Sequence, residues 1–106
     1  MGKNQVVIAE FSIIPLGQSG TSLSHYVAEA VGALRKVKNL NFEVTAMGTI
    51  LEAESLDTIF EAVSQAHKAL FALGVQRVSS TLRIDDRKDK ARSMNDKVNA
   101  VKEKLA

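Results

Sequence analysis

Cysteine and tryptophan are absent, and the 106 residues hold one proline, one tyrosine and two histidines. Each shortage removes a class of chemistry. Without cysteine there are no disulfides, no thiolate metal sites and no cysteine nucleophile. His25 and His67 both fall at helical positions; two histidines make a metal centre only if further ligands converge on them, and neither belongs to a recognisable Ser-His-Asp arrangement. Long apolar runs are missing too: none approaches the roughly 18 residues that cross a bilayer. The opening "MGKNQ" leads into a strand-like segment with no signal-peptide cleavage pattern, so a cytoplasmic protein with no direct membrane insertion is expected. Charge of one sign is also scarce. The formal net charge is only +2, and the basic residues after 86 are interleaved with acids in "DDRKDKAR". A surface that binds phosphates by counterion release needs a one-signed patch, so no nucleic-acid partner is expected.

What is present is regular hydrophobic periodicity. "QVVIAEFSIIPL" alternates, with Val7, Ala9, Phe11 and Ile13 on one face and Val6, Ile8, Glu10, Ser12 and Ile14 on the other, which reads as a central strand ended by Pro15. From Ser22 to about Lys38, Leu23, Val27, Ala30, Val31, Leu34 and Val37 recur at helical spacing, with Thr21 or Ser22 as the expected N-cap. "FEVTAMGTILEAE" alternates again, and Gly48 marks a turn or bulge between two short strands. Ser55 or Asp57 caps a second helix, whose Leu56, Ile59, Phe60, Val63, Ala66, Leu70 and Leu73 form one stripe and whose terminator is Gly74. "VQRVSSTLRID" supplies the last strand. Ser93 and Asp96 form a variant capping box for a third helix over about 93–105, with Met94, Val98, Val101 and Leu105 on a narrow stripe.

The order β-α-β-β-α-β predicts an α+β, ferredoxin-like sandwich with an additional C-terminal helix, in a single domain spanning 1–106. Both helices of such a unit cover the same sheet face. The other face, with Val6, Ile8 and Ile14, or else the C-terminal stripe, is therefore expected to bury against another subunit.

The loop "PLGQSGTSLSHYV" precedes the first helix and invites comparison with phosphate-binding loops. It has two residues between its glycines and no lysine, which excludes the P-loop, and it lacks the first glycine of the dinucleotide fingerprint. What survives is a helix N-terminus with the hydroxyls of Ser19, Thr21, Ser22 and Ser24, which either receives an anion or polar ligand or only turns the chain and caps the helix. The carboxylates Glu10 and Glu52 lie in strand-like segments. If strand pairing brings them near Ser12, Thr45, Met47 or Thr49, they form a polar patch in an apolar field, and that patch is either internally satisfied or open to a ligand.

Together, "AEFSIIPLG", "GTSLSHYV", "VTAMGTILEAES" and "RVSSTLRIDDRKDK" resemble, in order and spacing, the small thiamine-binding (YkoF-like) proteins, from about Val6 to Leu105. The resemblance implies a ferredoxin-like fold, dimers joined through their sheets into a homotetramer, and binding of thiamine or its hydroxymethylpyrimidine part. It implies no catalysis and no cofactor. Carried onto this chain, the pocket draws on Glu10 and Ser12 of the first strand, on Thr45, Met47, Gly48 and Thr49, and on the hydroxyls of Thr21 and Ser22. Glu52 joins them through the strand-borne carboxylate patch. An aminopyrimidine asks for acceptors and one or two donors on a rigid platform, and a carboxylate would also stabilise the cationic thiazolium. Three rivals share the topology: an amino-acid-sensing regulatory module, an RNA-binding sheet, and a small enzyme with Glu10 or His25 as base. The RNA reading is weakened because Phe11 is the only ring in the first strand and faces the helices.

Overall fold

The computed structural model describes residues 6–18, 23–89 and 93–105. In chain order the elements are β1 (Val6–Pro15), α1 (Ser24–Leu34), β2 (Leu40–Thr45), β3 (Gly48–Ala53), α2 (Leu56–Ala72), β4 (Val78–Arg87) and α3 (Met94–Leu105). The four strands form one antiparallel sheet in the order β2-β3-β1-β4. This is the expected ferredoxin-like sandwich with its extra helix.

Alternation in β1 sets the core. Val7, Ala9, Phe11 and Ile13 are buried against α1 and α2, as are Leu51 and Ala53 of β3. The helices answer with Ala30 and Leu34 from α1 and Ile59, Ala62, Ala66 and Leu70 from α2. Leu34, Leu51, Ile59 and Leu70 are the largest fully buried side chains, each contributing about 1.5–3 kcal/mol of burial.

Local signals account for most boundaries. Ser55 is the N-cap of α2, its hydroxyl accepting from the Thr58 N–H at 3.2 Å. Gly74, at φ +91°, follows the end of that helix, its N–H donating to the Phe71 carbonyl at 3.0 Å. The capping box of α3 is reciprocal: the Asp96 N–H donates to Ser93 Oγ at 3.1 Å, and the Ser93 N–H donates to Asp96 Oδ2 at 3.2 Å.

Three expectations need correction. The first helix opens later than its sequence pattern suggests, at Ser24 after Leu23, and no side chain caps it there. The expected caps, Thr21 and Ser22, lie outside the described residues. The same helix also stops short of Lys38: beyond Leu34 the N–H groups of Lys36 and Val37 reach back three residues rather than four, to Ala33 and Leu34. This tightened turn keeps Val37 against the core although the α-helix has ended, and Asn39 at φ 64° then turns the chain into β2. Phe60 of α2 and Leu73 at its C-cap are exposed and Ala62 is buried instead, because the buried arc follows the line Ile59–Ala62–Ala66–Leu70.

The molecule measures 44 × 35 × 18 Å, and its Cα radius of gyration is 15.1 Å against about 13 Å for a compact chain of this length. The short dimension is one helix layer on one sheet layer. The other sheet face carries Val6, Ile8, Ile14 and Ile50, and α3 approaches it through two polar fastenings at its first turn. Glu52 Oε2 accepts from the Met94 N–H at 2.7 Å, and Lys97 pairs with Asp85. No residue of α3 is buried, and Val98, Val101 and Leu105 remain exposed.

Candidate functional site

The site follows from unequal strand lengths. β1 runs ten residues and pairs with β4 along its whole length, from Val6–Arg87 to Pro15–Val78. Its pairing with β3 stops at Phe11–Thr49, because the β2–β3 hairpin has already turned at Ala46 and Met47. Past Phe11 the β3 side of β1 is therefore a notch rather than a ladder.

Helix α1 roofs that notch with Val27, Ala30, Val31 and Leu34. Phe11 to Ile14 of β1 form its floor, and the hairpin from Val44 to Thr49 forms one wall, enclosing a cavity of about 250 Å³. None of the described residues lining it is charged. Polar character comes from Ser12, Thr45 and Thr49 and from main chain. Thr49 is buried on the helix side of the sheet. Thr45 closes the hairpin: its hydroxyl donates to the Gly48 carbonyl at 2.9 Å and accepts from the Met47 N–H at 3.3 Å. Gly48 is required by close approach, since a Cβ there would lie 2.9 Å from the Phe11 carbonyl oxygen. Met47 stands at the hairpin tip, 83% exposed, a flexible apolar side chain at the cavity wall.

Five of the expected site residues thus come together: Ser12, Thr45, Met47, Gly48 and Thr49. Two do not. Glu10 and Glu52 lie on the open sheet face and line other hollows. Glu10 is 3.4 Å from Arg83, and Glu52 accepts from Asn41 Nδ2 at 3.1 Å as well as from the Met94 N–H. Protein donors meet Glu52, while Glu10, its side chain 43% exposed, has the Arg83 ion pair and open solvent. Thr21 and Ser22 lie outside the described residues, so their place relative to the cavity is not part of this geometry. His67 shares a 2.7 Å hydrogen bond with Ser80 of β4, and neither residue lines the cavity. Among the described residues no group of three or more His, Cys, Asp or Glu converges as a metal site.

In sequence, Val27, Val31, Phe11 and Ile13 read as core residues with no sign of a ligand. The signal that marks them is the offset between a ten-residue and a six-residue strand, which leaves part of the helix-facing surface without a neighbour.

A family model described as "Thiamine-binding protein" matches residues 9–102. The chain belongs to the thiamine-binding protein family. Its relatives include a UPF0045 protein of Methanothermobacter thermautotrophicus, 53% identical over 94% of this chain and 100% of that one. The UPF0045 protein YqgV of Bacillus subtilis is 34% identical over 94% of this chain and 98% of its own length. Among solved structures, protein MJ1052 of Methanocaldococcus jannaschii matches with a TM-score of 0.81 and 45% identity, covering 92% of this chain and 97% of that one. A Thermotoga maritima protein provisionally named for thiamine biosynthesis or salvage matches with a TM-score of 0.74 over 91% of this chain and 98% of its own. At 19% identity that likeness concerns the fold alone. Within this thiamine-binding family member, no helix among the described residues is long and apolar enough to cross a membrane.

Proposed function

We propose that this protein binds thiamine, or its hydroxymethylpyrimidine part, in the cavity under α1 and releases it unchanged, as a cytoplasmic protein of vitamin salvage, transport or buffering. The observation that carries the reading is the composition of the cavity's described lining, uncharged and apolar with hydroxyls and main chain as its polar groups, in a chain of the thiamine-binding family. At about 250 Å³ it is smaller than the roughly 300–1,000 Å³ pockets that engulf drug-sized ligands, so it suits one flat ring better than the whole vitamin. The pyrimidine then occupies the interior, and the cationic thiazolium points out toward Met47. No carboxylate is needed for this arrangement. The same composition disfavours an amino acid, whose ammonium and carboxylate groups would enter the cavity without charged partners. It equally disfavours a general base acting there, since Glu10 lines a different hollow and His25 does not line this one. Self-association belongs to the same proposal: the flat molecule leaves one sheet face and the α3 stripe available for a second copy.

Titration calorimetry with thiamine, hydroxymethylpyrimidine, thiamine diphosphate and a panel of amino acids tests the reading. Thiamine and the free pyrimidine should bind with similar affinity, and the diphosphate more weakly, because no cationic residue among the described ones lines the cavity to receive its phosphates. Tighter binding of the diphosphate, or binding confined to an amino acid, overturns it.

A further inference from the structure

The direction of the main-chain groups along β1 can be read from two contacts. The Leu16 N–H donates to the Arg77 carbonyl at 2.8 Å, one step beyond the Pro15–Val78 pair of the β1–β4 ladder. In an antiparallel ladder, alternate residues exchange both of their hydrogen bonds with one neighbour. Even-numbered residues of β1 therefore turn their N–H and C=O toward β4, and odd-numbered residues turn theirs toward β3. Phe11 agrees, because its carbonyl oxygen is the atom that approaches Gly48. Pro15 agrees as well: it is odd-numbered, and its missing N–H falls on the side where no ladder needs it.

Ile13 is the next odd residue after Phe11. The register that pairs Phe11 with Thr49 would place Met47 opposite it, but there the hairpin has turned. The N–H and C=O of Ile13 thus face the notch with no strand partner among the described residues. They do so from a residue that is itself buried and lines the apolar cavity. Unpaired main-chain donors and acceptors are rare in such surroundings, and a neighbouring donor–acceptor pair aimed into a cavity is a recognition edge.

We infer that the Ile13 N–H and C=O form the hydrogen-bonding edge of the site, and that this edge selects flat heteroaromatic rings bearing an exocyclic amino group beside a ring nitrogen. The ring nitrogen accepts from the Ile13 N–H, and the amino group donates to the Ile13 carbonyl, so the ligand completes the ladder where β3 ends. Ile13, Phe11 and the α1 valines pack on the ring faces. The inference rests on the thiamine reading for its ligand but on strand geometry for its location. Aminopyrimidines and adenine share this edge chemistry, and the test separates them.

The test is a titration of isotope-labelled protein followed by amide NMR, with hydroxymethylpyrimidine, thiamine and adenine as separate arms. Binding should move the Ile13 amide proton downfield and slow its exchange about tenfold or more, while the Ser12 and Ile14 amides, directed at β4, stay near their free positions. The arm with the largest Ile13 response identifies the ring system. Removing the amino group, or replacing the adjacent ring nitrogen by carbon, should weaken binding about tenfold or more, because each change leaves one Ile13 group unpaired. A bound pyrimidine that leaves the Ile13 amide unmoved, or a desamino analogue that binds as well as its parent, overturns the inference. If neither thiamine nor hydroxymethylpyrimidine binds, the proposed function fails on its own. The edge is then probed with adenine and aminopyridine at millimolar concentration, where an Ile13 response upholds the inference and its absence refutes it.

Discussion

Glu10 and Arg83 stand directly opposite each other in the β1–β4 ladder, their carboxylate and guanidinium 3.4 Å apart on the open face of the sheet. The strand that carries Glu10 also floors the cavity, but through its odd-numbered residues and through the segment past Phe11. One strand thus serves two surfaces. The carboxylate that looks in sequence like a ligand group is answered by a cross-strand arginine.

Glu10→Gln should leave the affinity for thiamine or its pyrimidine within about twofold and stability within about 0.5–1 kcal/mol, since an exposed cross-strand pair contributes little. Calorimetry and urea unfolding on the same variant measure both. A tenfold loss of affinity would return Glu10 to the site.

Gly48→Ala places a Cβ against the Phe11 carbonyl, a main-chain atom that yields only if β3 moves away from β1. The expected result is a destabilisation of about 1–3 kcal/mol together with a clear loss of ligand affinity, because the displaced hairpin is the cavity wall. Denaturant midpoints and ligand titration read the two effects separately.

The hydrogen bond from Lys97, reinforced by its charge, holds the Asp85 carboxyl below the ordinary carboxylate range. A group depressed in this way contributes stability above its unfolded pKa and loses that contribution as pH falls through the folded value. The first turn of α3 should therefore loosen below about pH 4 and stay fastened through neutrality. Amide exchange at Lys97 and Val98 across that range follows it. Asp85→Asn should speed the same amides at pH 7 while leaving Leu51 and Ile59 protected.

Val101 is exposed on a helix that buries nothing, beside Val98 and Leu105. A twelve-residue helix is marginal in water without packing, so association that covers this stripe would stabilise it. Light scattering at micromolar concentration should give a mass above 11.5 kDa for the parent chain and a lower mass for Val101→Asp, with the melting of the α1–α2 core little changed. A parent chain that remains monomeric removes self-association from the proposal.

Much of the fold is local information. Alternation along "QVVIAEFSIIPL" set the buried face of β1, and Ser55, Gly74 and the Ser93–Asp96 pair marked helix ends through hydrogen bonds that span only a few residues. Their chemistry acts over the same distance as the sequence pattern, so the pattern sufficed. Phe60 shows where that stops, because which arc of an apolar helix is buried depends on the sheet it meets.

By itself, the sequence determined the order of elements, the face on which each strand residue lies and the hydroxyl-bearing hairpin that walls the cavity, because periods of two and 3.6 residues are properties of the chain. Only the tertiary structure decided that Glu10 and Glu52 already have partners, that α1 roofs a cavity, and that Ile13 outruns its neighbour strand. These depend on register, the offset at which strands far apart in sequence meet. A single-residue shift of that offset would turn every side chain to the other face.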